Sequence, residues 1–133
     1  MIVPILVLLV LGVVDYGTFI NQKMKLQDLS RTVVQYVVQG GADVDVMTNI
    51  VETSDFYAAA KAVGQAVNVT TEQQCECANG VYAVCTGTCA GVGDYMRYYY
   101  AATIDSTYEP IFIYPGIPAS ITLTGYSRMQ YNP

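Results

Sequence analysis

Four cysteines fall in one short stretch, CECANGVYAVCTGTC, at Cys75, Cys77, Cys85 and Cys89. Thiols at that density either hold a metal or close disulfides. A zinc site of four thiolates draws its ligands from converging C-x2-C knuckles, whereas the first pair here is C-x-C inside a predicted strand. An even count so closely spaced fits two disulfides in an oxidising compartment, and that is the expectation. Asn79-Gly80 reads as a two-residue hairpin turn, which sets Cys75 opposite Val84 or Cys85 and Cys77 opposite Tyr82 or its neighbour. Register then favours Cys75–Cys85, with Cys77–Cys89 closing as the chain turns back at Gly87. The nested alternative, Cys77–Cys85 with Cys75–Cys89, requires a broken ladder. Each bridge is worth about 2–4 kcal/mol to a small core.

Little else in the chain is reactive. There is no histidine, so the commonest general base and metal ligand are both missing. The serines and carboxylates form no nucleophile elbow, P-loop or catalytic pair; no catalytic, cofactor or metal residue is assigned, and no enzyme is expected. Asp43-Val44-Asp45 lacks the further oxygens and glycine spacing of a calcium loop and reads as helix capping. Asn68-Val69-Thr70 matches the N-glycosylation pattern, too short a motif to carry weight. Twelve tyrosines stand out, above all in YMRYYY at 95–100. A strand with one buried and one half-exposed aromatic face accounts for them. Tyr95, Tyr98, Tyr99 and Tyr100 stay candidates for surface contact.

Position therefore matters more than reactivity. The chain has 133 residues, 53% of them hydrophobic and 13% charged, with a net charge of -5. That suits one domain plus an appendage. It argues against disorder and, with six scattered Lys/Arg, against nucleic acid as a partner. The opening, MIVPILVLLVLGVVDYG, is apolar from Met1 to Val14 and stops at Asp15. As a helix that run is about 21 Å long, short of a hydrocarbon core of about 30 Å. Extension to Ile20 reaches the length but puts Asp15 inside the span, at a cost of about 2.5–3.5 kcal/mol if central. A basic n-region and a small-residue cleavage site would mark a signal peptide. Neither is present, so the stretch is expected to be retained. Pro4 is harmless in a first turn. Asp15 either seeks a cation, such as a neighbour's Met1 amine, or marks the membrane–water boundary and stays solvated; the second is the expectation.

Beyond Asp15 the helical pattern continues. Leu26, Leu29, Val33 and Tyr36/Val37 recur at three- and four-residue spacing, with Lys25, Asp28, Arg31 and Gln35 between them, up to a stop at Gly40-Gly41. One helix is predicted from Met1 to about Gln39, apolar all round at first and amphipathic later. Asp43 or Asp45 opens a short helix to about Glu52. Ser54 or Asp55 opens another to about Val67, with Phe56, Ala60, Val63 and Val67 on one face. Strands follow: the hairpin, then Tyr95–Asp105, Tyr108–Tyr114 and Ala119–Tyr131, punctuated by Pro110, Pro115 and Pro118. The fold class is α+β, a long N-terminal helix followed by short helices and a small disulfide-bonded antiparallel sheet. Residues 1–39 form the membrane or filament-core helix and 40–133 the head.

Several pieces follow one another along the chain. Pro4 begins the apolar stretch and Gly12-Val13-Val14-Asp15-Tyr16-Gly17 ends it. The helix LQDLSRTVVQYVVQGGA follows, then C-x-C with a second cysteine pair around a glycine turn. A Tyr-x-Pro-hydrophobic step, Tyr108-Glu109-Pro110-Ile111, precedes a final strand, ITLTGYSRMQ. The set resembles the TadE-like minor pilins, or pseudopilins, of bacterial tight-adherence (Tad, type IVc) pilus systems. The resemblance implies a structural subunit without cofactor, partnered by other pilin-like subunits as a homo- or hetero-oligomer. It implies a helix held first in the inner membrane, a periplasmic head, and later an extracellular pilus. Ile2, Pro4, Ile5, Leu8, Leu9, Leu11, Val14, Asp15 and Phe19 are the helix-packing candidates. Relatives carry a basic, glycine-containing leader and an E-F-A-like step upstream of the position of Met1, which the present sequence does not include. Lys23, Lys25 and Arg31 follow the span and favour a cytoplasmic C-terminus; the cysteines and the resemblance favour a periplasmic one. The alternative function is a permanently anchored single-pass binding module that recognises a ligand through a tyrosine-rich sheet.

Overall fold

The computed structural model describes residues 3–41, 44–91, 95–111 and 118–132. Helix α1 spans Val3–Val38, 36 residues and about 54 Å. Its buried side chains beyond Asp15 are Leu26, Ser30, Val33, Val34 and Val37. Leu26, Val33 and Val37 belong to the stripe expected from spacing, Leu29 and Tyr36 are half-buried, Ser30 and Val34 join the buried face, and Lys25, Asp28, Arg31 and Gln35 are exposed. The glycine stop is present: the Gly40 and Gly41 N–H groups donate to the Val37 and Tyr36 carbonyls at 3.0 and 3.1 Å.

Helices α2 (Val44–Glu52) and α3 (Asp55–Ala62) follow. Asp45 lies within the first turn of α2, not ahead of it, and Asp43 lies outside the described residues. Ser54 caps α3 as expected, its Oγ accepting from the Tyr57 N–H at 3.1 Å. The helix ends five residues earlier than the predicted Val67. The Gly64 N–H turns back to the Lys61 carbonyl and the Gln65 N–H to that of Ala60. Val63 is therefore exposed rather than on the buried face.

Strands β1 (Val67–Cys77), β2 (Tyr82–Ala83), β3 (Met96–Tyr108) and β4 (Ile121–Tyr131) form one antiparallel sheet in the order β2-β1-β3-β4. Val67, Ser106 and Leu123 are aligned at one end, and Cys77 and Met96 at the other. Of the separate strand predicted over Tyr108–Tyr114, the described residues 108–111 show none. Tyr108 is the last residue of β3, and Glu109 and Pro110 leave the sheet, Pro110 having no N–H for a ladder. Positions 112–114 lie outside the described residues.

One face of the sheet, with Ala102, Ile104, Tyr108 and Leu123, packs on Leu26, Val33, Val34 and Val37 of α1 and on Met47, Val51, Phe56 and Ala60 of α2 and α3. Helix and sheet come close at Gly125, where an added Cβ would lie 2.5 Å from the Leu26 carbonyl oxygen. Only glycine admits a helix backbone that close. Beside it the Gln27 amide donates to the Tyr126 carbonyl and accepts from the Tyr126 N–H at 3.4 Å. The side chain thereby covers part of the open edge of β4.

Candidate functional site

The first part of α1 stands clear of the head. From Val3 to Val14 its large side chains are 50–72% exposed wherever they are fully on the surface, over about 18 Å of helix. Of the expected packing residues, Pro4, Ile5, Leu8, Leu9 and Val14 are exposed and Leu11 is half-buried; Ile2 lies outside the described residues. Among the described residues α1 is the one helix long and apolar enough to cross a membrane. A helix that is apolar all round has no single face to bury and wants lipid or other helices on every side.

Asp15 is where the bare stretch meets the head, and it is not solvated as expected: it is 6% exposed. Its Oδ1 accepts from the Tyr108 hydroxyl at 2.9 Å and from the Ile111 backbone N–H at 3.0 Å. The Thr18 hydroxyl donates to the Asp15 carbonyl at 2.8 Å and lies 3.1 Å from the Tyr108 hydroxyl. Phe19 meets the Tyr108 ring edge-on, centroids 5.5 Å apart. Donors from the head thus replace the water a boundary carboxylate would hold. Tyr108 closes β3 opposite Ile121, the first residue of β4, so the network ties α1 to one end of the sheet. Sequence reasoning did not pair Tyr108 with Asp15. The two lie 93 positions apart, and the only hint was an acid in an apolar run with a separate Tyr-x-Pro step.

Beside this network lies an apolar cleft of about 410 Å³. Gly12, Tyr16 and Phe19 of α1 form one side, and Tyr108, Pro110 and Ile121 of the head form the other.

The opposite end of the sheet holds both disulfides. Cys75–Cys85 and Cys77–Cys89 are bonded, with Cα atoms 5.1 and 5.8 Å apart, the pairing that register favoured. The register itself is shifted by one: Cys75 faces Ala83 and Glu76 faces Tyr82. Ala78, Asn79 and Gly80 form a three-residue loop, closed by Gly80 N–H to the Cys77 carbonyl and Cys77 N–H to the Val81 carbonyl, each 2.8 Å. Gly80 has φ 85°, the left-handed residue this loop type requires. Cys85 lies beyond the end of β2 and is free to reach back to Cys75.

The candidate tyrosines do not form one patch. Strand alternation puts Tyr98 and Tyr100 on the α1 side, near Tyr131 at 6.1 and 5.9 Å, and Tyr99 on the other. There the Arg128 guanidinium sits 3.7 Å from the Tyr99 ring centre, pairs with Glu76 at 2.7 Å and donates to the Tyr82 hydroxyl at 3.2 Å. Burial alone would lower the Arg128 pKa, but Glu76, Tyr82 and Tyr99 together hold it above its ordinary value. Tyr95 is exposed and accepts a hydrogen bond from Arg97 at 3.0 Å, which raises the Arg97 pKa.

No curated protein and no solved structure matches the chain. Residues 1–42 match the family model described as TadE-like protein. The matched segment takes in the bare apolar stretch, Asp15 and all of α1 and leaves the sheet outside it. Over that N-terminal segment, less than half of its length, the chain is similar to TadE-like proteins.

Proposed function

We propose that the chain is a structural, non-enzymatic, pilin-like subunit that enters a Tad-type pilus through the apolar part of α1. The reading treats residues 1–39 as the assembly helix and 40–133 as the head it carries. The observation that carries it is the bare helix, exposed from Val3 to Val14 and lying within the TadE-like match. In the inner membrane that surface faces lipid. On extraction, helices of neighbouring subunits replace the lipid, and packing suffices because lipid tails are no more apolar than leucine side chains. The two disulfides favour a periplasmic head over the cytoplasmic one that Lys23, Lys25 and Arg31 would favour, since such bonds persist in oxidising compartments.

Shearing cells that express the tagged full-length chain, then separating filaments from membranes, tests the proposal. Recovery in the sheared filaments, with crosslinks to other subunits from positions 3–14, is the expected result. Confinement to the membrane fraction under piliated conditions overturns it in favour of a permanent anchor.

A further inference from the structure

We infer that the cavity between α1 and the end of α3 seats a phospholipid headgroup, one that carries a hydrogen-bond donor beyond its phosphate. The inference goes beyond the subunit reading. It needs only that α1 lie in a membrane, which a permanent anchor would share.

The cavity holds about 220 Å³. Gln22 and Lys25 of α1 form one wall; Phe56, Ala59 and Ala60 of α3, with Val63 just after it, form the other. It lies where α3 stops and the chain turns away at Gly64, φ 76°. The Gln22 Oε1 is buried and has no hydrogen-bond partner in the chain. A buried amide oxygen left bare costs its full desolvation, so it calls for a donor from outside the chain. One turn further on, Lys25 is exposed and enters no ion pair among the described residues. An occupant that satisfies both has an N–H or O–H at one end and an anion at the other. Carbon between the two ends then lies on Phe56 and Val63. Water supplies the donor but no anion; inorganic phosphate supplies the anion but no carbon. Phosphoethanolamine and phosphoglycerol supply all three.

Depth along α1 points to a lipid as the source of that group. The head's own donors on Asp15 let an apolar span run past it, since a paired carboxylate is tolerated there. From Val3 to Ile20 the helix rises about 27 Å, close to a hydrocarbon core of about 30 Å. Gln22 and Lys25 come about 3–8 Å further on, within a headgroup layer of about 5–8 Å on each side. Charge agrees with that position. Beyond Asp15, α1 carries Lys23, Lys25 and Arg31 against Asp28 alone, although the whole chain has a net charge of -5.

Native mass spectrometry of the full chain tests the assignment, in micelles titrated separately with phosphatidylethanolamine, phosphatidylglycerol and phosphatidylcholine. Choline keeps the phosphate but has no N–H or O–H. The wild-type chain is expected to retain at least fivefold more ethanolamine or glycerol lipid than choline lipid. Gln22→Leu removes the buried acceptor, and the preference should fall to near one. Lys25→Gln should weaken all three lipids at least threefold, because each carries phosphate. Ala59→Phe, placed on the exposed rim of the cavity, is an independent variant that should fill it and bring all three lipids to the same low level. Equal retention of the three lipids by the wild-type chain overturns the proposal, as does a preference that survives Gln22→Leu or Ala59→Phe. If water-soluble glycerophosphoethanolamine displaces the lipid at equal concentration, the ligand is a soluble phosphodiester and the lipid assignment falls. None of these outcomes touches recovery in sheared filaments, which tests the subunit reading separately.

Discussion

The two ends of the sheet are fastened by different chemistry. Where β3 ends, Asp15, Thr18, Tyr108 and Ile111 tie α1 to the head through hydrogen bonds, buried between Asp15 and Tyr108 and part-buried at Thr18 and Ile111. Where β3 begins, two disulfides tie the head to its own loop. The second end has little core of its own: β2 is two residues long, and Val81, Tyr82 and Val84 around it are exposed. A covalent link replaces apolar burial there. At the first end the tie sets where the bare helix leaves the head, and it depends on directional donors that a burial contact does not supply. Breaking the first end should loosen the helix from the head; breaking the second should loosen the head and leave α1 alone.

The largest effect is expected at the covalent end. The bridges close loops with sequence separations of 10 and 12, worth about 3 kcal/mol each in the loop-entropy account. Replacing all four cysteines with serine should therefore remove about 5–6 kcal/mol, a large share of the stability of a small domain. Urea titration in micelles should show loss of the head while the helical signal of α1 persists. A loss under 1 kcal/mol would mean that the hairpin is held by something else.

Asp15→Ala comes next, at about 2 kcal/mol, because it removes the carboxylate that accepts from the Tyr108 hydroxyl and the Ile111 N–H, while the hydroxyl keeps the Asp15 carbonyl at 3.1 Å. Amide exchange should quicken at Ile111 and at the end of β3 and stay unchanged at Cys77 and Val81. Equal quickening at both ends would erase the distinction between them. Tyr108→Phe, expected at about 1 kcal/mol, sharpens it: the ring contact with Phe19 survives, so any loss belongs to the hydroxyl.

What could be read in the sequence follows the range of the interactions. The stripe of Leu26, Val33 and Val37 and the stop at Gly40-Gly41 depend on neighbours three or four residues away, and periodicity exposes them. The cysteine pairing was legible for a similar reason, since a short hairpin limits which thiols can meet. The register slipped because Ala78 joins Asn79 and Gly80 in the loop, and the pairing survived because Cys85 lies beyond β2. The early end of α3 at Ala62 was missed because alanines and valines continue the helical pattern past Gly64. Asp15 was misread for the opposite reason. Its partners Tyr108 and Ile111 come from the far end of the chain, and an acid at the edge of an apolar run looks the same whether it faces water or a tyrosine. Alternation along β3 foresaw two aromatic faces, but Arg128 and Glu76 over Tyr99 arise from register across three strands.

The smallest effect is expected between the two ends, at Gln27. Its amide meets both backbone groups of Tyr126 on the open edge of β4, on a surface where water can replace it. Gln27→Ala should cost only about 0.5–1 kcal/mol and leave exchange at Ile111 and at the disulfide hairpin unchanged. Its signature is local: faster exchange of the Tyr126 amide and greater self-association of the head through the uncovered strand. Gln27→Glu separates the two bonds, because a carboxylate still accepts from the Tyr126 N–H but cannot donate to its carbonyl. Exchange at Tyr126 should then stay near wild type while the carbonyl side remains open. If Gln27→Glu instead matches Gln27→Ala at that amide, the side chain acts by packing against β4 and not as a hydrogen-bonding cover.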